Sequence, residues 1–134
     1  MSRIKLATYR IQKAKEILSE ASDCLQHKHY GLSVTRSYYA MFSATRALLA
    51  FKEMDSSKHS GVIALFNQHI VKADLFPKDI GKFITKAKDL REEADYGDFV
   101  EITEKDAKIQ LERAQTFVAE AEKTAESLAR TETE

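Results

Sequence analysis

A chain of 134 residues, 43% hydrophobic and 31% charged, has the size and composition of one soluble domain, which excludes fibrous, collagenous and disordered classes. One Pro and four Gly are too few for the turns of an all-β fold, so the composition points to helices. Lys+Arg and Asp+Glu are balanced at 21 each, which removes any bulk attraction to nucleic acid or anionic lipid.

The single cysteine, Cys24, cannot form an internal disulfide and falls beside Leu25 on an apolar helical face. A buried free thiol and a reducing, cytoplasmic setting are expected. Residues 1–10 are too polar for a secretory signal, and no apolar run approaches the roughly 20 residues of a membrane span. A soluble, uncleaved protein with no membrane partner is therefore expected. The zero net charge conceals a split: residues 1–58 hold 10 bases and 5 acids, whereas residues 59–134 hold 11 bases and 16 acids. Such a division suits head-to-tail docking or an unevenly charged partner, and equally suits the solvated faces of a bundle.

In residues 4–25, Ile4, Leu6, Ala7, Ile11, Ala14, Ile17, Leu18, Ala21 and Leu25 recur at three and four and predict a first amphipathic helix. Its exposed face starts with Arg3, Lys5, Arg10, Lys13 and Lys15, with no acid before Glu16. Cations at a helix N-terminus oppose the macrodipole, so solvation or a partner must offset them. Residues 26–31 read as a loop. Residues 32–51 form a second helix that is apolar on nearly every face, which places it at the centre of the bundle or against a second subunit. Residues 55–61, rich in cap residues and ending in Gly61, predict a tight loop before a short apolar helix over 62–71. Pro77 suits a first helical position, and the stripe Ile80, Phe83, Ile84, Ala87 and Leu90 carries a fourth helix to Tyr96 and Gly97. Thr103 and Asp106 have capping-box spacing before a last helix, and residues 131–134 should fray. The prediction is an all-α, up-and-down bundle of about five helices in one domain over residues 1–134, with its core at about 5–125.

No Glu has the His partner three residues on that a di-iron bundle needs. His27 and His29 flank Lys28 in the predicted loop with only Cys24 and Asp23 nearby, which is a poor zinc set, so no metal or cofactor is expected. There is no phosphate-cradling Gly-rich loop and no nucleophile elbow. The densest acidic stretch, residues 89–99, has Arg91 as its only base. Asp95 lies one helical turn on, so it can orient the Arg91 guanidinium for phosphate recognition, or the two can form a simple surface ion pair. His59 begins a helix, where the dipole disfavours an imidazolium; a neutral ring is expected, either a general base or a packing residue. Tyr38 and Tyr39 cannot both face the same way, so one should enter the core and the other a groove or subunit contact.

In order, the segments Arg36-Ser37-Tyr38-Tyr39-Ala40-Met41-Phe42, Lys58-His59-Ser60-Gly61-Val62, Leu75-Phe76-Pro77, and Arg91 with Ala94-Asp95-Tyr96-Gly97 resemble a HEPN-domain protein, the higher eukaryotes and prokaryotes nucleotide-binding family. The resemblance implies an α-helical bundle, usually a homodimer with a cleft between subunits. Many members are metal-independent ribonucleases that act as toxins or defence effectors, and small prokaryotic members are often encoded beside a minimal nucleotidyltransferase that neutralises them. Ribonuclease members carry an Arg, four to six residues, then a His. Arg91 matches the first position, but after four intervening residues this chain has Tyr96, and no His follows Arg91. A phenol with an ordinary pKa near 10 is a poor base at neutral pH. Residues 89–106 also hold 8 acids against Arg91 and Lys105, a surface that repels RNA phosphates.

The expectation is therefore a HEPN module of a toxin-antitoxin or defence pair that binds nucleotide or nucleic-acid phosphate and a nucleotidyltransferase partner. Arg91 is its phosphate contact, with Asp95, Arg36 and Lys58 as further binding candidates. By resemblance, Tyr96 is a candidate acceptor of a nucleotidyl modification. The rivals are a metal-independent endoribonuclease using Arg91 with His59 or Tyr96, and a purely structural interaction module.

Overall fold

The computed structural model describes residues 2–98 and 100–133. Met1, Phe99 at the end of the acidic stretch, and Glu134 of the tail lie outside the described residues. Six α-helices account for most of the chain: α1 (Ser2–Gln26), α2 (Tyr30–Ala50), α3 (His59–Phe66), α4 (Lys78–Gly81), α5 (Phe83–Tyr96) and α6 (Glu104–Thr133). α3 runs directly into a wider π-helical turn, Asn67–Val71. The fourth predicted helix is present but divided at Lys82 into α4 and α5. Pro77 is the N-cap before α4, in extended conformation (ψ 132°), rather than the first helical residue.

Only residues 27–29 separate α1 from α2. Lys28 makes this turn with a left-handed backbone (φ 64°), while Gly31 is already helical, so the loop is shorter than residues 26–31. The tight turn forces α1 and α2 antiparallel, and two arginines of α1 reach across to carbonyls near the α2 C-terminus. Arg3 donates to Phe51 O at 3.1 Å and Arg10 to Arg46 O at 3.0 Å. Both carbonyls lie in or just past the last turns of α2, so the cations meet the negative end of its dipole.

Ion pairs within the chain offset part of the basic start of α1. Arg3 also pairs with Glu53 and Glu132, Arg10 approaches Asp55 at 3.9 Å, and Lys15 pairs with Glu122. The Arg3–Glu132 and Lys15–Glu122 pairs also run α6 antiparallel to α1. α6 continues to Thr133, and Thr131 Oγ1 donates to Ser127 O at 3.1 Å.

α2 touches α1, α3, α5 and α6, and this central position accounts for its all-round apolar character within one chain. Tyr38, Met41, Ala44, Leu48 and Leu49 are fully buried. Beneath them Phe66, Phe76 and Phe117 pack with ring centres 5.0–5.7 Å apart, tying α3, the segment before Pro77 and α6 into one core. Cys24 is half-buried rather than buried, because the end of α1 extends past the bundle's centre. The capping box at α6 forms as spaced: Thr103 Oγ1 accepts from Asp106 N at 3.1 Å and Asp106 Oδ2 from Thr103 N at 3.0 Å. No helix among the described residues is long and apolar enough to cross a membrane.

Candidate functional site: a guanidinium on two tyrosines

α5 lies antiparallel to α2, and residues four apart on one helix meet residues four apart on the other. Thr35 Oγ1 reaches Asp95 Oδ1 at 3.5 Å, and one turn along Arg91 Nη2 donates to Tyr39 OH at 3.0 Å. Arg91 and Asp95 also form the anticipated ion pair, with Nε 3.1 Å from Oδ2. The Nε–H is not aimed at that oxygen and forms no hydrogen bond, so the contact is one of charge alone. The guanidinium carbon stands 5.8 Å from the Tyr38 ring centre, 5.4 Å from Tyr39 and 5.9 Å from Tyr96. The Arg91 side chain is only 16% exposed, so this is no solvated surface pair: three rings and a carboxylate fix its position.

His59 arrives from the start of α3. Its ring stacks on Phe42 at 4.3 Å and meets the edge of Tyr39 at 5.8 Å, while its Nδ1 lies 2.9 Å from Tyr38 OH. Gly61 permits this approach, because a Cβ there would lie 2.2 Å from Ser56 Oγ, in the loop that delivers α3. Tyr39 therefore touches both Arg91 and His59.

The protonation of this cluster follows from burial. Tyr38 is 0% exposed, and burial raises its phenol well above the ordinary value against the opposing pull of Arg91, so the hydroxyl keeps its proton. His59 Nδ1 is the only acceptor for that proton among the described residues. The imidazole is held below its ordinary value, first by burial and then by the charges of Arg91, Lys88 and Arg46, so it is neutral at pH 7. A neutral ring that accepts at Nδ1 must carry its proton on Nε2. Lys88 donates to Glu92 at 2.6 Å and lowers that carboxyl's pKa, which keeps the pair charged beside the site.

The other candidates are placed as follows. Tyr96 is the last residue of α5, 74% exposed and beside Arg91. Arg36 turns away from the cluster and pairs with Glu20 of α1 at 3.7 Å. Lys58 is exposed at the N-cap of α3, and its ammonium makes no ion pair among the described residues. The division expected of Tyr38 and Tyr39 holds for burial, one buried and one half-buried, yet their rings pack edge to face at 5.2 Å and both meet Arg91. The sequence reading missed Thr35 and Phe42 and the two tyrosine hydroxyls as partners. The matched four-residue spacing of Thr35/Tyr39 and Arg91/Asp95 was the available signal. Among the described residues, no three His, Cys, Asp or Glu side chains converge as a metal site. Beside the cluster, Asp89, Glu92, Glu93, Tyr96 and Gly97 line an open depression of about 530 Å³.

Comparison with known proteins identifies the family of this chain. The model of the HEPN domain matches residues 7–124. The chain is 37% identical over 126 residues to a "UPF0332 protein" of Thermotoga maritima, covering 94% of this chain and 96% of that one. Two Methanocaldococcus jannaschii proteins, each named "Putative toxin", are 31% and 37% identical over 113 and 112 residues, covering 84% of this chain in both cases and 77% and 78% of those proteins. A family model that takes in the whole Tyr38–His59–Arg91 cluster, and relatives matched over most of their length, show that the chain belongs to the HEPN-domain family.

Proposed function

We propose that this chain is the HEPN module of a toxin-antitoxin or defence pair, and that the Arg91 cluster binds a phosphate of a nucleotide or nucleic acid. The observation that carries this reading is the set of open donors. Arg91 spends Nη2 on Tyr39 and keeps its buried Nε against Asp95, while Nη1 makes no hydrogen bond to the described residues. A fixed guanidinium with an unspent donor edge suits phosphate oxygens.

The same protonation favours binding over cleavage. A general base must offer an unprotonated nitrogen to the ribose hydroxyl, and His59 Nδ1 is already engaged by Tyr38 OH at 2.9 Å. The acidic depression next to Tyr96 repels phosphates on that side, which confines the contact to a phosphate held at Arg91 itself. The reading extends to a homodimer and to a nucleotidyltransferase partner, as the family resemblance implies; exposed Leu32, Tyr96 and Val100 supply apolar surface for such contacts. One observation favours a second reading, a metal-independent endoribonuclease: His59 reaches the same tyrosine rings as Arg91, close enough to serve as its proton-transfer partner.

Growth after inducible expression tests the toxin reading. Wild type is expected to arrest growth, and Arg91→Ala, made to the same soluble level, is expected to relieve the arrest. Equal arrest by both proteins would overturn a role for this cluster.

A further inference from the structure

The large hydrophobic side chains that stay exposed among the described residues fall into two groups: Leu6 and Tyr9 on α1, and Leu32, Tyr96 and Val100 around the end of α5. The groups sit at opposite ends of the bundle. Arg10 of α1 lies against Ser43 and Arg46 in the second half of α2, whereas Thr35 in its first half meets Asp95. The run of helix from Thr35 to Arg46 spans roughly 16 Å, so one copy cannot bring its own two groups together.

The two ends also differ in charge. Lys5, Tyr9 and Lys13 stand four residues apart and line one exposed face of α1, with exposed Leu6 beside them. Neither lysine has an ion-pair partner among the described residues, unlike Arg3, Arg10 and Lys15, which acids of the same chain offset. Leu6 walls a hollow of about 260 Å³ whose apolar part is completed by Ala50 and Met54. At the other end Tyr96 is 74% exposed and Val100 44%. Asp89 and Glu93 share a depression with Tyr96, and exposed Asp98 and Glu101 flank it in the chain; none of the four has an ion-pair partner among the described residues. An exposed aromatic among free acids at one end thus complements an apolar hollow beside free lysines at the other.

We propose that these ends dock on each other between copies: the Leu6/Tyr9 face of one chain, with its hollow and its lysines, receives the Tyr96/Val100 end of α5 of a second copy. Tyr96 is the aromatic anchor, and Lys5 and Lys13 meet the acids around it. A second copy is the occupant because the chain as a whole is neutral, with its excess of bases in residues 1–58 and its excess of acids in residues 59–134, so copies that meet through unlike ends cancel each other's charge. The contact stands apart from the phosphate-binding reading, and it differs from a symmetric homodimer in joining two different surfaces.

Sedimentation velocity on the full chain, at several concentrations and two salt levels, tests this. The mass of wild type is expected to rise with concentration, and association to weaken roughly tenfold between about 50 and about 500 mM NaCl as two exposed ion pairs are screened. The double variants Leu6→Gln, Tyr9→Gln and Tyr96→Gln, Val100→Gln each strip the apolar part of one surface and leave the net charge unchanged. All four side chains are exposed, so both variants should melt as wild type does. Each alone is expected to hold one mass at every concentration. Mixed in equal amounts they are expected to associate, because each supplies the surface that the other has lost. A wild-type mass that does not change with concentration, association that salt does not weaken, a variant that associates alone as wild type does, or a mixture that stays apart would overturn the contact. A dimer of constant mass in every sample would overturn this docking and leave a homodimer through a symmetric face standing.

Discussion

The hydroxyl of Tyr39 accepts a hydrogen bond from Nη2 of Arg91 at 3.0 Å, joining the middle of the central helix to the last turns of α5. The bond fixes which edge of the guanidinium faces the open side of the site. Tyr39→Phe keeps the ring and removes only the acceptor. Anion binding should weaken by roughly threefold to tenfold, the worth of one such bond, with little change in thermal stability. Titration with a nucleoside monophosphate, beside a melting curve, checks it; unchanged affinity would mean that Arg91 needs no such anchor.

Arg91→Lys keeps the charge but loses the planar fork that spans Tyr39, Asp95 and the open side. If geometry matters, binding should fall nearly as far as in Arg91→Ala. If charge alone suffices, the lysine variant should bind like wild type, and isotherms of the two variants decide between these.

The neutral state of His59 makes stability depend on pH. In the unfolded chain the ring titrates near its ordinary 6.5, and in the fold it is held below that. Between the two values the unfolded state binds the extra proton, so the stabilisation is complete above about 6.5 and is lost as pH falls toward the folded value. Wild type should melt lower at pH 5.5 than at pH 7.5. That difference should shrink in His59→Gln, measured by calorimetry in the absence of multivalent anions.

Phe117 is fully buried where α6 meets Phe66 and Phe76. Phe117→Ala should cost about 3–5 kcal/mol in chemical denaturation, whereas Thr103→Ala, which removes one half of the α6 cap, should cost about 1 kcal/mol. A larger loss at Thr103 than at Phe117 would contradict the placement of the core.

Much of the fold was legible because helical periodicity records burial. The stripes of residues 4–25 and 80–90 and the Thr103/Asp106 spacing each mark a helix that is present. Division of the fourth helix at Lys82 was not legible, because the apolar stripe of Ile80, Phe83 and Ile84 continues across the break. Nor was the pairing of Glu132 with Arg3, which lie at opposite ends of the chain. At the site, Arg91 with Asp95 followed from a local i to i+4 rule. The hydroxyl partners did not, since Tyr39 and Arg91 lie 52 residues apart and Tyr38 and His59 lie 21 apart. Arg36 was a further binding candidate, but one step of helical rotation from Thr35 turns it toward Glu20.

The proposal that Arg91 and His59 form a donor site that holds phosphate without cutting it is tested most directly with single-stranded RNA in EDTA. Binding is followed by anisotropy and integrity by gel on the same samples, for wild type, Arg91→Ala and His59→Ala. The account predicts RNA that is bound and intact with wild type, and unbound with Arg91→Ala. Cleavage by wild type that disappears in both variants would contradict it and make His59 the proton-transfer residue of a ribonuclease.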